Sequence, residues 1–196
     1  LAAGIGAVFD INTLAIIYEH APPVTFQHLW EALVEGLILP LDEHYRLIDV
    51  AAELGLQEVS FFKFLHDRIQ QAAYSLIPEE QKPTIHLQIG RLLLKNTPVA
   101  SLEERIFEIV AQLNMGRSLI HETEEAQRLV ELNLRAGRKA MSAMAYRPAL
   151  EMFKQGLAAL PSSATPWESY FELTFGLYNE LALCEYRSSL FQAADE

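Results

Sequence analysis

Apolar residues at Phe26, Leu29, Trp30, Leu33, Val34 and Leu37 recur at i, i+3, i+4, i+7, i+8 and i+11, the spacing of one continuous helix face. Thr25 offers that helix an N-cap, and Val24 can staple against Leu29. A shorter helix over 10–19 precedes it, ended by Pro22 and Pro23 because proline cannot continue a helix. The pattern then changes. Leu37 to Leu41 reads as a buried strand, with Pro40 arguing for an edge, and 45–48 continues it beyond a turn. Residues 49–60 read as an insertion, and the aromatic run Phe61-Phe62-Lys63-Phe64 suits a second strand, so the two predict a hairpin with a long tip. Helical spacing returns over 66–76, with Leu65, Ile69, Ala72, Ala73 and Leu76 on one face.

Beyond Pro78 only helical patterns occur. Residues 79–94 place Ile85, Ile89, Leu92 and Leu93 together. Ser101 and Glu104 form a capping box that opens a helix striped by Leu102, Ile106, Ile109, Val110 and Leu113, with Gly116 near its end. Thr123 starts a long helix to about Met144, whose Glu124 and Glu125 suit the N-terminal dipole. A helix over 147–160 follows, with Pro148 tolerated in its first turn. Thr165 and Glu168 make another capping box, with Pro166 at the first helical position, for a helix to about Tyr186.

Two stretches fit a tetratricopeptide frame. The first is Ala136-Gly137, Ala140, Ala149, Phe153 and Pro161, with Asn133 and Ala136 where Trp and Leu are usual; the second begins at Tyr178, Leu181 and Ala182 and reaches Ala194. In that frame Gly137, Ala149 and Ala182 lie where helices approach closely, and the chain stops in mid-repeat. A generic antiparallel helical bundle is the alternative. The expected fold is therefore mainly α: a winged-helix-like module of helices and a short β-hairpin over 1–77, then a tetratricopeptide-like antiparallel helical array over 78–196, truncated in its last repeat.

Composition narrows the function. The 196 residues give a soft expectation of one large domain or two small ones. Fifteen Lys and Arg against 26 Asp and Glu leave a net charge of −11, which repels phosphate backbones in the absence of a local basic stripe. Hydrophobic residues make up 51% of the chain, far from the composition of disorder. The longest uncharged stretch, 155–167, is interrupted by Pro161 and Pro166 and falls short of the roughly 18 apolar residues of a membrane span. A single cysteine, Cys184, excludes an intramolecular disulfide and suits a cytoplasmic setting. A start at Leu1 without a signal-peptide pattern suggests a piece of a longer protein.

Signatures of catalysis are missing. No phosphate loop occurs, and Gly4-Ile5-Gly6 lacks the third glycine and the preceding strand of a dinucleotide fingerprint. His20, His28, His44, His86 and His121 are scattered without ligand spacing, so no metal site is expected. Cys184 shares an apolar stripe with Tyr178 and Leu181, the setting of a structural thiol. Glu79-Glu80, Glu103-Glu104 and Glu124-Glu125 fall in first turns, where the helix dipole accounts for them. Phe61, Phe62 and Phe64 read as hairpin core, since no basic stripe surrounds them for stacking bases.

An order of three helices, hairpin and helix resembles a winged helix, whose third helix often enters the DNA major groove. Here that helix, over 25–36, carries Glu31 and Glu35, no Lys or Arg, and only His28 as a possible cation. Nucleic acid is not an expected partner.

The segment from Phe62 through Leu65-His66-Asp67 to Pro78 resembles the winged-helix end of the signal-transduction ATPases with numerous domains, found in bacterial multi-sensor histidine kinases and serine/threonine kinases. Leu29 to Pro40, His86 to Leu94 and Glu131 to Ala140 are also similar to that group. The resemblance implies an upstream ATPase module that binds ATP or ADP, a winged helix packed on it, and a helical repeat region after it. Leu65-His66-Asp67 is similar to a motif whose histidine reaches a nucleotide phosphate in the closed state of plant disease-resistance proteins and the apoptosome scaffold. Carried over, His66 is that contact, Asp67 braces its loop, and Leu65 is an apolar anchor; the competing reading makes His66 a helix cap. No phosphate loop lies within these residues, so the chain itself is expected to be non-catalytic and cofactor-free, with the parent's other domains and further proteins as partners. A winged-helix transcription regulator with a helical sensor domain and a plain helical protein-binding domain are the alternatives.

Overall fold

In the computed structural model, residues 1–54, 60–161 and 166–194 are described. They fall into two compact units, Leu1–Pro98 and Val99–Glu196.

The first unit runs α1 (Ala2–Ile5), β1 (Val8–Asp10), α2 (Ile11–Tyr18), α3 (Pro22–Val34), β2 (Ile38–Pro40), α4 (Ile48–Glu53), β3 (Phe61–Phe64), α5 (Asp67–Ser75) and α6 (Lys82–Asn96). Helix α2 starts where Asp10 accepts the Thr13 N–H at 2.8 Å and the Thr13 hydroxyl at 2.5 Å, an N-cap that satisfies an orphan donor. Glu19, at φ 57°, ends it. The next helix begins three residues before the expected cap. Pro22 and Pro23 occupy its first turn behind Ala21, where a missing N–H costs nothing, and Thr25 is buried with its hydroxyl on the Ala21 carbonyl at 3.1 Å.

The strands form a three-stranded antiparallel sheet in the order β1-β3-β2. Phe62 pairs with Phe9 on one side and with Pro40 on the other. The expected hairpin is present and Pro40 is on an edge strand, but β1 completes the sheet with only three residues, too few to announce a strand by alternation. Residues 44–47 form a 3₁₀ turn instead of a strand continuation. Asp42 organises that corner, accepting from the Phe61 N–H at 3.0 Å and the His44 N–H at 2.9 Å. Residues 49–53 of the expected insertion are helical, as part of α4, and 55–59 lie outside the described residues. Phe9, Ile11, Leu14, Ile38, Ile48 and Phe62 form the core, with Phe26, Leu29 and Leu33 of α3 packed on it. The rest of the α3 stripe faces out, with Trp30 50% and Val34 67% exposed.

Helix α6 belongs to this unit. A Cβ on Gly4 would lie 3.5 Å from Ile89, so α1 and α6 touch, and α6 buries His86, Leu87, Ile89 and Leu93. The buried His86 ring is hydrogen-bonded to the Tyr74 hydroxyl at 2.7 Å. The expected boundary at 77/78 therefore moves to Pro98/Val99: α6 has the helical pattern of the region after it but spends its apolar face on the sheet-bearing unit.

The second unit consists of α7 (Leu102–Met115), α8 (Thr123–Ser142), α9 (Tyr146–Ala158), α10 (Pro166–Ser169) and α11 (Phe171–Ala194). The α7 stripe is buried as expected, Leu102, Ile106, Ile109, Val110 and Leu113 being at most 4% exposed. Its capping box is not made. Ser101 ends a 3₁₀ turn with α-region backbone and no capping hydrogen bond, so its hydroxyl lacks the extended geometry that aims it at the first turn. The Thr165 box lies outside the described residues.

Helices α8 and α9 pack as an antiparallel hairpin across a turn in which Met144 takes φ 59°. Their approach depends on one glycine: a Cβ on Gly137 would sit 2.2 Å from the Phe153 ring, and both Phe153 and Ala149 are fully buried. The contact repeats at the next interface, where a Cβ on Gly156 would lie 2.8 Å from Leu177 of α11. Between α7 and α8, Asn133 and Asn114 exchange amide hydrogen bonds at 2.9 and 3.0 Å, and Asn133 also donates to the Leu129 carbonyl at 3.0 Å. The second frame does not follow the first. Ala182 is exposed, because α11 turns Thr174, Leu177 and Cys184 inward instead. Among the described residues no helix is long and apolar enough to cross a membrane.

Candidate functional site

The junction between β3 and α5 carries the residues singled out by sequence. Its backbone is pinned from three directions: the Phe64 N–H donates to Ala7 at 3.1 Å, the Leu65 N–H to Leu37 at 3.0 Å, and the Ile69 N–H to the His66 carbonyl at 2.9 Å. The Gln70 amide adds a tie to the Ala3 carbonyl at 3.2 Å. His66 occupies the N-cap position of α5 with φ −142° and ψ 148°, but its side chain makes no capping bond. Asp67 follows in the first turn, where a carboxylate suits the helix dipole. Both side chains are exposed. A fixed backbone thus carries an outward-facing imidazole and carboxylate, able to donate to or accept from a group brought from outside. Leu65 differs from its expected role: at 41% exposed it is no buried anchor, since alternation along β3 assigns the inward position to Phe62.

Sequence reasoning found nothing at a second place, a cavity of about 440 Å³ in the second unit. Arg117, Ser118, His121 and Thr123 provide its polar lining, and Leu129 and Leu160 part of its apolar wall. Arg117 is committed to the Gln155 side chain at 2.6 Å. Glu124 and Glu125 stand in the adjacent first turn of α8 and oppose an anion there. No spacing in the chain announces the cavity, because its lining comes from residues about 40 apart.

Cys184 is fully buried and its thiol donates to the Tyr146 carbonyl at 3.4 Å. Burial pushes its pKa up, and Glu185 pushes it the same way, which keeps the thiol protonated and inert. Among the described residues no group of three or more His, Cys, Asp or Glu is placed to hold a metal ion. The outer side of α3 presents His28 and Glu31. His28 is held by the Tyr18 hydroxyl at 2.9 Å.

No protein-family profile matches the chain, and no solved structure matches it. A curated relative does: hybrid signal transduction histidine kinase G of Dictyostelium discoideum, 26% identical over 238 aligned residues. The alignment covers 100% of this chain and 7% of that relative. The chain is therefore similar to a small part of a signal-transduction histidine kinase.

Proposed function

We propose that the chain is a non-catalytic regulatory and scaffolding region of a large signalling protein. In this reading the first unit is a winged helix that senses the nucleotide state of an ATPase module elsewhere in the polypeptide, and the second unit conveys that state or binds protein. Three helices, with β1 between the first two, followed by β2 and β3, which complete an antiparallel sheet with β3 at its centre, support the winged-helix part. The α8–α9 hairpin, with Gly137 against the Phe153 ring and Ala149 fully buried, supports a tetratricopeptide-like array. The observation that carries the reading is the similarity of the whole chain to a short stretch of a far longer signalling kinase. The exposed His66 and Asp67 on a fixed backbone suit a contact completed by another module.

A ligand shifts a conformational equilibrium only through contacts that differ between the states. If His66 donates to an ADP phosphate in the closed state alone, a charge-assisted bond of about 1.5–3 kcal/mol changes the closed-to-open ratio roughly ten- to a hundredfold. In the intact protein, His66→Ala should raise basal output and speed ADP release by that factor. Asp67→Ala should act in the same direction. Equal ADP release from wild type and His66→Ala, with unchanged basal output, would leave His66 as a helix-start residue.

A further inference from the structure

Helix α11 has two apolar faces, and the unit covers one of them. Thr174, Leu177 and Cys184 point inward and are buried. On another side Phe171, Phe175, Tyr178, Ala182 and Tyr186 recur at i, i+4, i+7, i+11 and i+15, a single stripe along the helix. Phe171, Phe175 and Tyr178 are 51, 52 and 48% exposed, and Tyr186 is 64% exposed. Trp167 of α10 extends the stripe, stacked on Tyr178 at 5.5 Å, while Phe171 stacks on Phe175 at 5.8 Å. A helix apolar on this much of its circumference is ordinarily buried, and a contiguous aromatic surface on a soluble unit marks an interaction site.

The shape and the charge of the stripe select its occupant. It runs along one helix with small Ala182 among its aromatics, so it offers ridges and a shallow place between them, which suits another helix lying lengthwise. Its borders are acidic. Glu168, Glu172 and Glu185 are exposed and stand three residues from Phe171, Phe175 and Ala182, respectively. The helix as a whole has one basic residue, Arg187. An acid-flanked helix would meet like charge on both edges, whereas a basic-flanked one is steered and aligned by the same carboxylates. We propose that this aromatic stripe docks an amphipathic helix of a partner protein whose apolar face is bordered by Lys or Arg. The inference rests on the scaffold half of the function proposed above, and requires nothing of His66.

The probe is a dye-labelled helical peptide of roughly 18 residues, long enough to run the stripe, with a Leu face bordered by Lys; its control carries Glu in place of each Lys. Fluorescence anisotropy should show the Lys-bordered peptide binding the 196-residue chain and the Glu-bordered one binding about tenfold or more weakly, with the difference shrinking as salt rises. Phe175→Ser should weaken the Lys-bordered peptide by about tenfold or more. Glu172→Lys, which removes no apolar contact, should narrow the preference between the two peptides. Equal binding of both peptides, or binding of neither, overturns the proposal. So does a chain that dimerises by light scattering and becomes monomeric on Phe175→Ser, because the stripe then belongs to a second copy. So too does binding to the isolated chain but not to the intact protein, because the protein's own neighbouring segment then covers the stripe. Failed peptide binding with a preserved His66→Ala effect on ADP release would remove the docking surface and leave the nucleotide coupling standing.

Discussion

The two units reach stability by different routes. In the first, strands of three and four residues are too short to hold one another, and the sheet persists because rings close over it. Phe9 lies 5.9 Å from Phe62 and 5.8 Å from Phe64, and Phe26 lies 6.1 Å from Phe62. In the second unit, helices of 20 and 13 residues approach so closely that a hydrogen atom on Gly137 takes the place a methyl group would need. One core is an aromatic cluster with partly covered edges. The other is a close-packed hairpin tied to the preceding helix α7 by an amide pair. The first should yield by losing a ring or a cap, the second by losing or gaining a single group at the helix contact.

The largest expected effect comes from emptying each core. Phe153→Ala and Phe62→Ala both remove a fully buried ring, and such truncations cost about 3–5 kcal/mol. The comparison is sharpened by where each falls in that range. The cavity term depends on how far neighbours collapse; around Phe62 the partly exposed Phe26 and Phe64 have room to move, whereas the fully buried Phe153 ring lies directly against the α8 backbone at Gly137. Urea denaturation should therefore show the greater loss for Phe153→Ala. A greater loss for Phe62→Ala would reverse the contrast.

A smaller effect tests the close approach itself. Gly137→Ala improves helix propensity by about 1 kcal/mol, and on an exposed helix it would stabilise. Here the added methyl meets the Phe153 ring at 2.2 Å, an overpacking that costs about 1–3 kcal/mol. The net change should be destabilising. Gly176→Ala is the control in the same unit, because its Cβ would meet the Leu134 side chain at 3.3 Å, a contact that a small shift of the leucine relieves. A variant at Gly137 as stable as wild type would mean that α8 and α9 separate readily, and would erase the distinction between the units.

The same contrast explains what the chain discloses before folding. Helix stripes such as Leu102 to Leu113 were legible because one periodic face meets one buried surface. The α3 stripe was legible as a helix but not as a surface: Phe26, Leu29 and Leu33 are enough to cover the sheet, so Trp30 and Val34 remain outside. Strand β1 was hidden because three residues show no alternation and its pairing partner, Phe61–Phe64, lies some fifty residues along the chain. The ownership of α6 was hidden for a related reason, since periodicity says that a helix has an apolar face and not which core receives it. At the candidate site, the motif located the exposed pair His66 and Asp67, while the inward or outward direction of Leu65 depended on the register of β3. In the second unit Gly137 and Ala149 were readable from the spacing of small residues, whereas Ala182 was misplaced because α11 rotates to bury Leu177 and Cys184. That rotation also puts Tyr178 outside.

The smallest effect concerns the cap that starts α2. Asp10 is the last residue of β1, paired with Phe61, and its carboxylate accepts from both the backbone and the hydroxyl of Thr13. The same residue therefore closes a strand and opens a helix, and α2 has only eight residues over which to recover the cost of starting. Asp10→Ala should lower the stability of the unit by about 1 kcal/mol, within the 0.5–2 kcal/mol usual for a lost N-cap. Asp10→Asn keeps an oxygen for the Thr13 N–H and should recover most of that loss. In the second unit Ser101 supplies the control, because its hydroxyl makes no capping bond to α7 and Ser101→Ala should change stability by only a few tenths of a kcal/mol. Urea midpoints for the three variants decide the matter. A loss at Ser101 equal to that at Asp10 would show that caps matter alike in both units, and that the first does not depend on its helix starts more than the second.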